Sequence, residues 1–292
     1  MRIRRSFSVV IFLLAASTLI GCSSGARYRE TRVIVLPDAP AMADIDVRTG
    51  NGAVDISTAP KERQATIVAN LRATTKQRLE QAEVLAGYEG GTLVVSVEWP
   101  DGRARSNEGA SFDIETPGVG DATVNTGNGA IKLAGARGDA DLRTSNGRIV
   151  VERHEGAVVA DTSNGRIELS GDLDDVDADT SNGRVRIAGA TGPVRVRTSN
   201  GSVVVEMASG AEGPVQARSS NGSIRFDLGP AFHGRLRLET SNGRVHLENA
   251  PLARIHSISK SRAELTIGEG GDDSVADTSN GSVTVRFSGG SD

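Results

Sequence analysis

Apolar and polar residues alternate along most of this chain, and the alternation restarts at a fixed interval. Between Asp141 and Asn200 the tetrapeptide Thr-Ser-Asn-Gly returns at equal steps, with its asparagine at Asn146, Asn164, Asn182 and Asn200. Looser copies place Asn-Gly at Asn51, Asn128, Asn221, Asn242 and Asn280. Counted from the asparagine, positions +3 and +5 are apolar, from Ile149 and Val151 through Ile167 and Leu169 to Val283 and Val285. Position +4 between them varies: Val150, Glu168, Arg186, Arg225, His246. This period of two predicts a short strand with one buried face. Before the corner, position −4 is small or apolar (Leu142, Ala160, Ala178, Val196) and position −3 is charged (Arg143, Asp161, Asp179, Arg197). A second strand is expected there.

A fixed period of about 20 residues is the mark of a solenoid. A repeat of about 18 extended residues gives a path of roughly 59 Å at about 3.3 Å each, which suits a flattened coil of two short strands. It is too short for a βαβ unit or a four-stranded propeller blade. One coil cannot bury its inner face alone, whereas coils stacked about 4.8 Å apart share a continuous core. The expected fold is all-β: a parallel β-solenoid with two short strands per coil of about 18–21 residues. Asn128, Asn146, Asn164, Asn182, Asn200, Asn221, Asn242 and Asn280 are expected to stack as an interior ladder at one corner. The glycine after each is expected to supply a positive φ. A plain hairpin turn is the other reading of Asn-Gly, but it does not account for an identical corner in every repeat.

The longer intervals are informative. The steps from Asn200 to Asn221 and from Asn221 to Asn242 exceed the basic repeat, with the excess around Met207–Gly213 and Gly229–Gly234, in the second turn. The still longer interval from Asn242 to Asn280 predicts a degenerate coil, with Leu265 and Ile267 at +3 and +5 and Arg262 at the asparagine position. Upstream, Asn51 begins an early coil with Val54 and Ile56, after which the repeat vanishes from Ala59 to Pro117. There the pattern predicts strands at Ala65–Leu71, Thr92–Glu98 and Ser111–Thr116. It also predicts a short helix over Thr74–Ala86, capped by Thr74 with Gln77 and stopped at Gly87. Arg103–Ala110 reads as a mobile loop. The domains expected are thus residues 42–118, a coil and β-rich cap with one short helix, and residues 119–292, the repeat solenoid, since terminal units must differ from internal ones.

The N-terminus has a different character. Arg2, Arg4 and Arg5 precede an apolar run from Val9 towards Ile20, too short to read as a membrane span and suited to an export signal. Leu19-Ile20-Gly21-Cys22 follows, and Cys22 is the sole cysteine. This resembles the lipobox of bacterial lipoproteins, which implies diacylation of the Cys22 thiol by palmitate-like chains and removal of residues 1–21. Residues 22–41 are then a tether, with a first strand at Arg32–Leu36. Cleavage after Ala26 as an ordinary secretory signal is the alternative. Ser23 at the next position implies the outer membrane if the cell is Gram-negative, and otherwise the outer face of the cell membrane. One cysteine permits no intramolecular disulfide.

Composition narrows the chemistry. A net charge of −4 gives no basic field for nucleic acid, and 3% aromatic residues with 35 glycines suit thin β-coils. The histidines, His154, His233, His246 and His256, fall at unrelated repeat positions. The acidic run Asp172–Asp177 could offer oxygen ligands to calcium, but it occurs once and lacks the glycine-rich spacing of calcium-binding rolls. No catalytic residue, metal or cofactor is expected. One surface feature repeats in register: Arg148, Arg166 and Arg184 share position +2 of successive coils, so stacking brings them roughly 5 Å apart. Either they pair with Asp161 and Asp179, or they form a strip for an anionic polymer.

The early Asn51–Ile56 coil, the block Ala65–Pro117 with its proline-bounded strand, and the repeats from Thr126–Leu133 onwards resemble a family of bacterial envelope proteins called putative adhesins, built on a domain of unknown function. The resemblance covers about Ala43 to Phe287 and implies a parallel β-solenoid exposed at the cell envelope. It carries no catalytic residues. Together these readings lead to a non-enzymatic, lipid-anchored envelope protein for adhesion or scaffolding, whose partners are the membrane and an anionic glycan or an envelope protein. The alternatives are a sensory envelope lipoprotein that binds a partner protein and, further off, a polysaccharide-active β-helix enzyme.

Overall fold

The computed structural model describes residues 28–250 and 253–288. Almost every element is a strand, and the chain divides into a unit ending at Gly138 and a unit beginning at Asp139. The signal segment and Cys22 lie outside the described residues.

In the second unit the sequence period becomes a stacking register. On one face Leu142, Ala160, Ala178, Val196 and Ala217 lie opposite one another in consecutive parallel strands. On the other face Ile149, Ile167, Val185, Val203 and Ile224 do the same. The strands Ile149–Thr162 and Ile167–Thr180 run from one face round the second turn to the other, which makes each repeat a flattened coil. The +3 and +5 residues of these coils are buried, each side chain stabilising the stack by about 1.5–3 kcal/mol. The longer repeats carry their extra residues in the second turn, between Met207 and Val215 and between Leu228 and Gly234, where Ala211 and Phe232 are buried.

The corner is built differently from expectation. The asparagine ladder exists: Asn164 Nδ2 donates to Asn146 Oδ1 (2.8 Å), Asn182 to Asn164 (2.9 Å), Asn200 to Asn182 (2.9 Å) and Asn221 to Asn200 (2.9 Å). Yet these side chains are exposed, on the outside of the corner. The interior position belongs to the threonine two residues earlier. Thr162, Thr180 and Thr198 are buried and donate to the carbonyls of Gly147, Gly165 and Gly183 in the preceding coil (3.0, 2.9 and 3.2 Å). Each hydroxyl satisfies a carbonyl that would otherwise be an orphan in the core. The glycines are also needed for another reason. Gly165, Gly183 and Gly201 are not in the left-handed region; instead, a Cβ on any of them would overlap the carbonyl oxygen of the glycine one coil below. Only glycine lets the corners approach so closely.

Coil order departs from chain order. The last coil, Ser274–Asn280 with Val283–Phe287, sits between two earlier ones. Ala276 pairs with Ala217 on one side and Leu238 on the other, and Val283 pairs with Ile224 and Val245. The corner ladder follows the same path: Asn280 donates to Asn221 (2.8 Å) and Asn242 to Asn280 (2.9 Å). The coil 234–248 is therefore outermost, and its Val245 and Leu247 are only half-buried. No coil forms at 262–267. Arg262–Ile267 runs antiparallel to Gly234–Asn242, and Ala253–Ile258 pairs antiparallel beyond it. Arg262 lies opposite Glu239, to which its guanidinium donates (2.9 Å).

The first unit follows the same plan. The coil Ala43–Thr49 with Val54–Thr58 lies between two others: Val47 pairs with Val95 and Val124, and Val54 with Phe112 and Ile131. Here the corner bond joins Asn128 Nδ2 to Asn51 Oδ1 (2.6 Å). A coil is thus hidden at 92–116, where the repeat motif vanishes. Antiparallel strands finish this unit: Glu83–Glu89 on Thr92–Glu98, and Gln64–Ala73 between Gly109–Thr116 and Tyr28–Pro37. The first strand is longer than Arg32–Leu36 and takes up much of the segment expected as a tether. The helix is confined to Lys76–Gln81 and is capped by Thr75, not Thr74. Residues 83–89 are a strand because Gly90 and Gly91, both at positive φ, turn the chain back onto 92–98.

Candidate functional site

The arginine strip stands in register. Ile149 lies opposite Ile167, Ile167 opposite Val185 and Val185 opposite Val203, so Arg148, Arg166, Arg184 and Ser202 stack just outside the corner. All three arginines are exposed. Their partners are not Asp161 and Asp179. Arg166 pairs with Glu168 of its own coil (3.1 Å), and Arg184 Nε donates to the Ser202 hydroxyl (3.1 Å). Among the described residues Arg148 has no side-chain partner. Asp179 meets Arg197 instead (3.8 Å). Burial, and then the stacked charge of Asp161, raise the pKa of Asp179. Exposed pairs of this kind each contribute little to stability.

A second site was not legible in the sequence. In the hidden coil 92–116 the corner is expanded. Where the neighbouring coils turn through Gly-Asn-Gly at Asn51 and Asn128, residues 99–108 form a loop between Thr92–Glu98 and Gly109–Thr116. The loop walls an open cleft of about 1320 Å³. Its floor is an outward row across three adjacent strands, Ser96, Arg48 and Asn125, in mutual register. Asp46 clamps the Arg48 guanidinium through Nε (3.1 Å) and Nη2 (2.7 Å). The wall carries Trp99, only 7% exposed, and the exposed Arg103.

Composition predicts a mobile loop at Arg103–Ala110; instead a buried ion pair holds it. Glu108 is fully buried. It accepts from Arg78 Nε (2.8 Å) and Nη2 (2.9 Å), from the Thr74 hydroxyl (2.7 Å) and from the Arg105 backbone N–H (2.9 Å). Arg78 also donates to the carbonyls of Pro100 (3.4 Å) and Arg103 (3.1 Å) and meets Asp101 (3.2 Å). Burial pushes the Glu108 carboxyl up, but the bonds from Arg78, Arg105 and Thr74 outweigh it and hold the pKa down at about 2. A buried pair is a weak source of net stability. What this one does is fix the path of the loop.

The remaining titratable groups do not converge. His154 is buried with Nε2 facing the Ala157 carbonyl (3.3 Å), and burial lowers its pKa. In the run Asp172–Asp177, Leu173 and Val176 point inward and Asp174 accepts from the Thr191 hydroxyl (3.3 Å). Among the described residues no group of three or more His, Cys, Asp or Glu is placed to hold a metal ion.

Residues 190–290 are similar to a family described as a domain of unknown function, DUF7330. No curated protein matches this chain. Among solved structures it is similar to a putative adhesin from Bacteroides fragilis, 10% identical, with 90% of this chain and 98% of that one covered at a TM-score of 0.40. It is similar to a putative lipid binding protein from Parabacteroides distasonis, 13% identical over 89% and 97% of the two chains, TM-score 0.38. A putative adhesin from Parabacteroides merdae is 14% identical over 91% and 98%, TM-score 0.34.

Proposed function

We propose that this chain is a non-enzymatic, lipid-anchored protein of the bacterial cell envelope, and that its coil stack serves as a surface for adhesion or scaffolding. The observation that carries the reading is the in-register strip of Arg148, Arg166 and Arg184, in which Arg166 alone meets a carboxylate, that of Glu168, among the described residues. A strip repeating at the coil spacing suits an elongated anionic polymer such as a phosphorylated glycan. Arginine forks grip phosphate or carboxylate, and weak contacts to several coils add through effective concentration.

The test compares retention on immobilised lipopolysaccharide for the wild type and the triple variant Arg148→Ser, Arg166→Ser, Arg184→Ser. Serine already occupies this position at Ser202, Ser223 and Ser282, so the fold should be spared. Wild-type retention should fall as salt rises, because exposed charges are screened within about 8–10 Å at moderate ionic strength. The variant should elute early. Equal, salt-insensitive retention would remove the strip from the function.

The anchor is assigned to Cys22, in an exported chain that reaches the outer membrane if the cell is Gram-negative. Cys22→Ala should abolish labelling with radioactive palmitate and release the protein from membranes. Undiminished labelling would contradict the assignment.

A further inference from the structure

We infer that the cleft beneath the expanded corner of the first unit is a binding site for an acidic saccharide, with a sugar carboxylate on Arg103 and hydroxyls along the row Ser96–Arg48–Asn125. The corner itself points to a site. The repeating corners turn tightly through Asn-Gly, whereas this one is enlarged to residues 99–108 and held in shape by the buried pair of Arg78 and Glu108. An enlarged loop costs ordering entropy, and a buried ion pair costs desolvation. Fixing a ligand-facing wall accounts for both costs.

The chemistry of the lining selects the ligand class. The floor residues sit on adjacent strands about 4.8 Å apart, close to the width of a sugar ring. They offer a hydroxyl, a guanidinium and an amide, a mixture of donors and acceptors that suits sugar hydroxyls. Arg48 is already clamped by Asp46, so it is preorganised and largely neutralised. Arg103 differs: it gives its carbonyl to Arg78, while its exposed guanidinium has no partner among the described residues. That leaves one uncommitted cation for one ligand carboxylate, and a planar fork matches a carboxylate. Glu98, exposed at the rim, disfavours a ligand carrying anions along its whole length. Trp99 is too buried for a ring to stack on its face and serves as a rigid apolar edge.

Trp99 is the chain's single tryptophan, so its emission reports occupancy of this cleft. The full chain is titrated with an aldotriouronic acid, a trisaccharide that bears a single uronate, with maltotriose as the neutral control and inorganic phosphate as the free-anion control. The expected result is a saturable change in emission with the aldotriouronic acid alone. Arg103→Ala should weaken it about tenfold or more, the usual effect of losing a charge-assisted hydrogen bond. The triple serine variant of the arginine strip should bind the aldotriouronic acid as the wild type does, so the two sites are tested separately. No saturable change, equal affinity in Arg103→Ala, an equal response to maltotriose, or saturation by phosphate alone would each overturn the assignment.

Discussion

Arg78→Ala is expected to destabilise the first unit by about 3–5 kcal/mol at pH 7, the usual effect of leaving one member of a buried ion pair without its partner. Glu108 is fully buried and would keep only Thr74 and the Arg105 N–H as donors. The loss should depend on pH in a stated direction. In the wild type the folded pKa of Glu108 is held at about 2, below its ordinary value of 4.5. Its ionised form therefore stabilises the fold above about pH 4.5, and that contribution fades as pH falls towards 2. In the variant, burial dominates and the carboxyl is pushed up, so it protonates before it reaches so low a pH. The gap between wild type and variant should thus narrow between pH 7 and pH 3, as read by chemical denaturation. A gap independent of pH would mean that Arg78 acts through packing alone. Because each coil contacts only its neighbours, the loss should stay local, and amide exchange should quicken first at residues 99–108.

The other large effect concerns the core register. Ile167 is fully buried, between Ile149 and Val185 in the adjacent coils. Ile167→Asp places a carboxylate among these apolar side chains. It should cost several kcal/mol through desolvation, with a protonated acid as the only escape. The next residue outward gives the control. Glu168 is 42% exposed at its side chain and, among the described residues, pairs with Arg166. Glu168→Ala should cost less than about 1 kcal/mol. Melting temperatures should separate the two widely; similar losses would mean that the assignment of inward and outward positions is wrong.

The coils were legible because their signal is local. Thr-Ser-Asn-Gly and the +3/+5 pairs dictate a corner and a strand, and Ile149, Ile167, Val185 and Val203 fall where that signal puts them. Stacking order was not legible for the same reason. Coils with interchangeable corners fit one another equally well, so Asn280 can meet Asn221 and Asn242 as readily as those two could meet each other. The strands Ala253–Ile258 and Arg262–Ile267 break the tie. They form an antiparallel pair on one side of Gly234–Asn242, and the last coil enters on the opposite side. The threonine ladder was present in the motif, but the motif alone does not say which of its polar side chains turns inward. The strand Glu83–Glu89 was missed because Leu79, Ala82 and Leu85 mimic a helical face, and the Gly90-Gly91 turn was the stronger signal. The cleft had no sequence signature at all. Arg78 and Glu108 lie far apart in unlike segments, and Ser96, Arg48 and Asn125 meet only through strand register.

Coils stack out of chain order, which puts the coil 234–248 outermost and the hidden coil 92–116 beside Ala43–Thr49, where its corner walls the cleft. Disulfide formation between paired cysteines tests it, in a Cys22→Ser background. Asn221→Cys with Asn280→Cys places the two positions in neighbouring coils about 4.8 Å apart, within reach of a disulfide. Asn221→Cys with Asn242→Cys separates them by a whole coil, roughly 9–10 Å, beyond that reach. The stacking order predicts rapid oxidation of the first pair and none of the second; the reverse result would restore chain order and refute the arrangement.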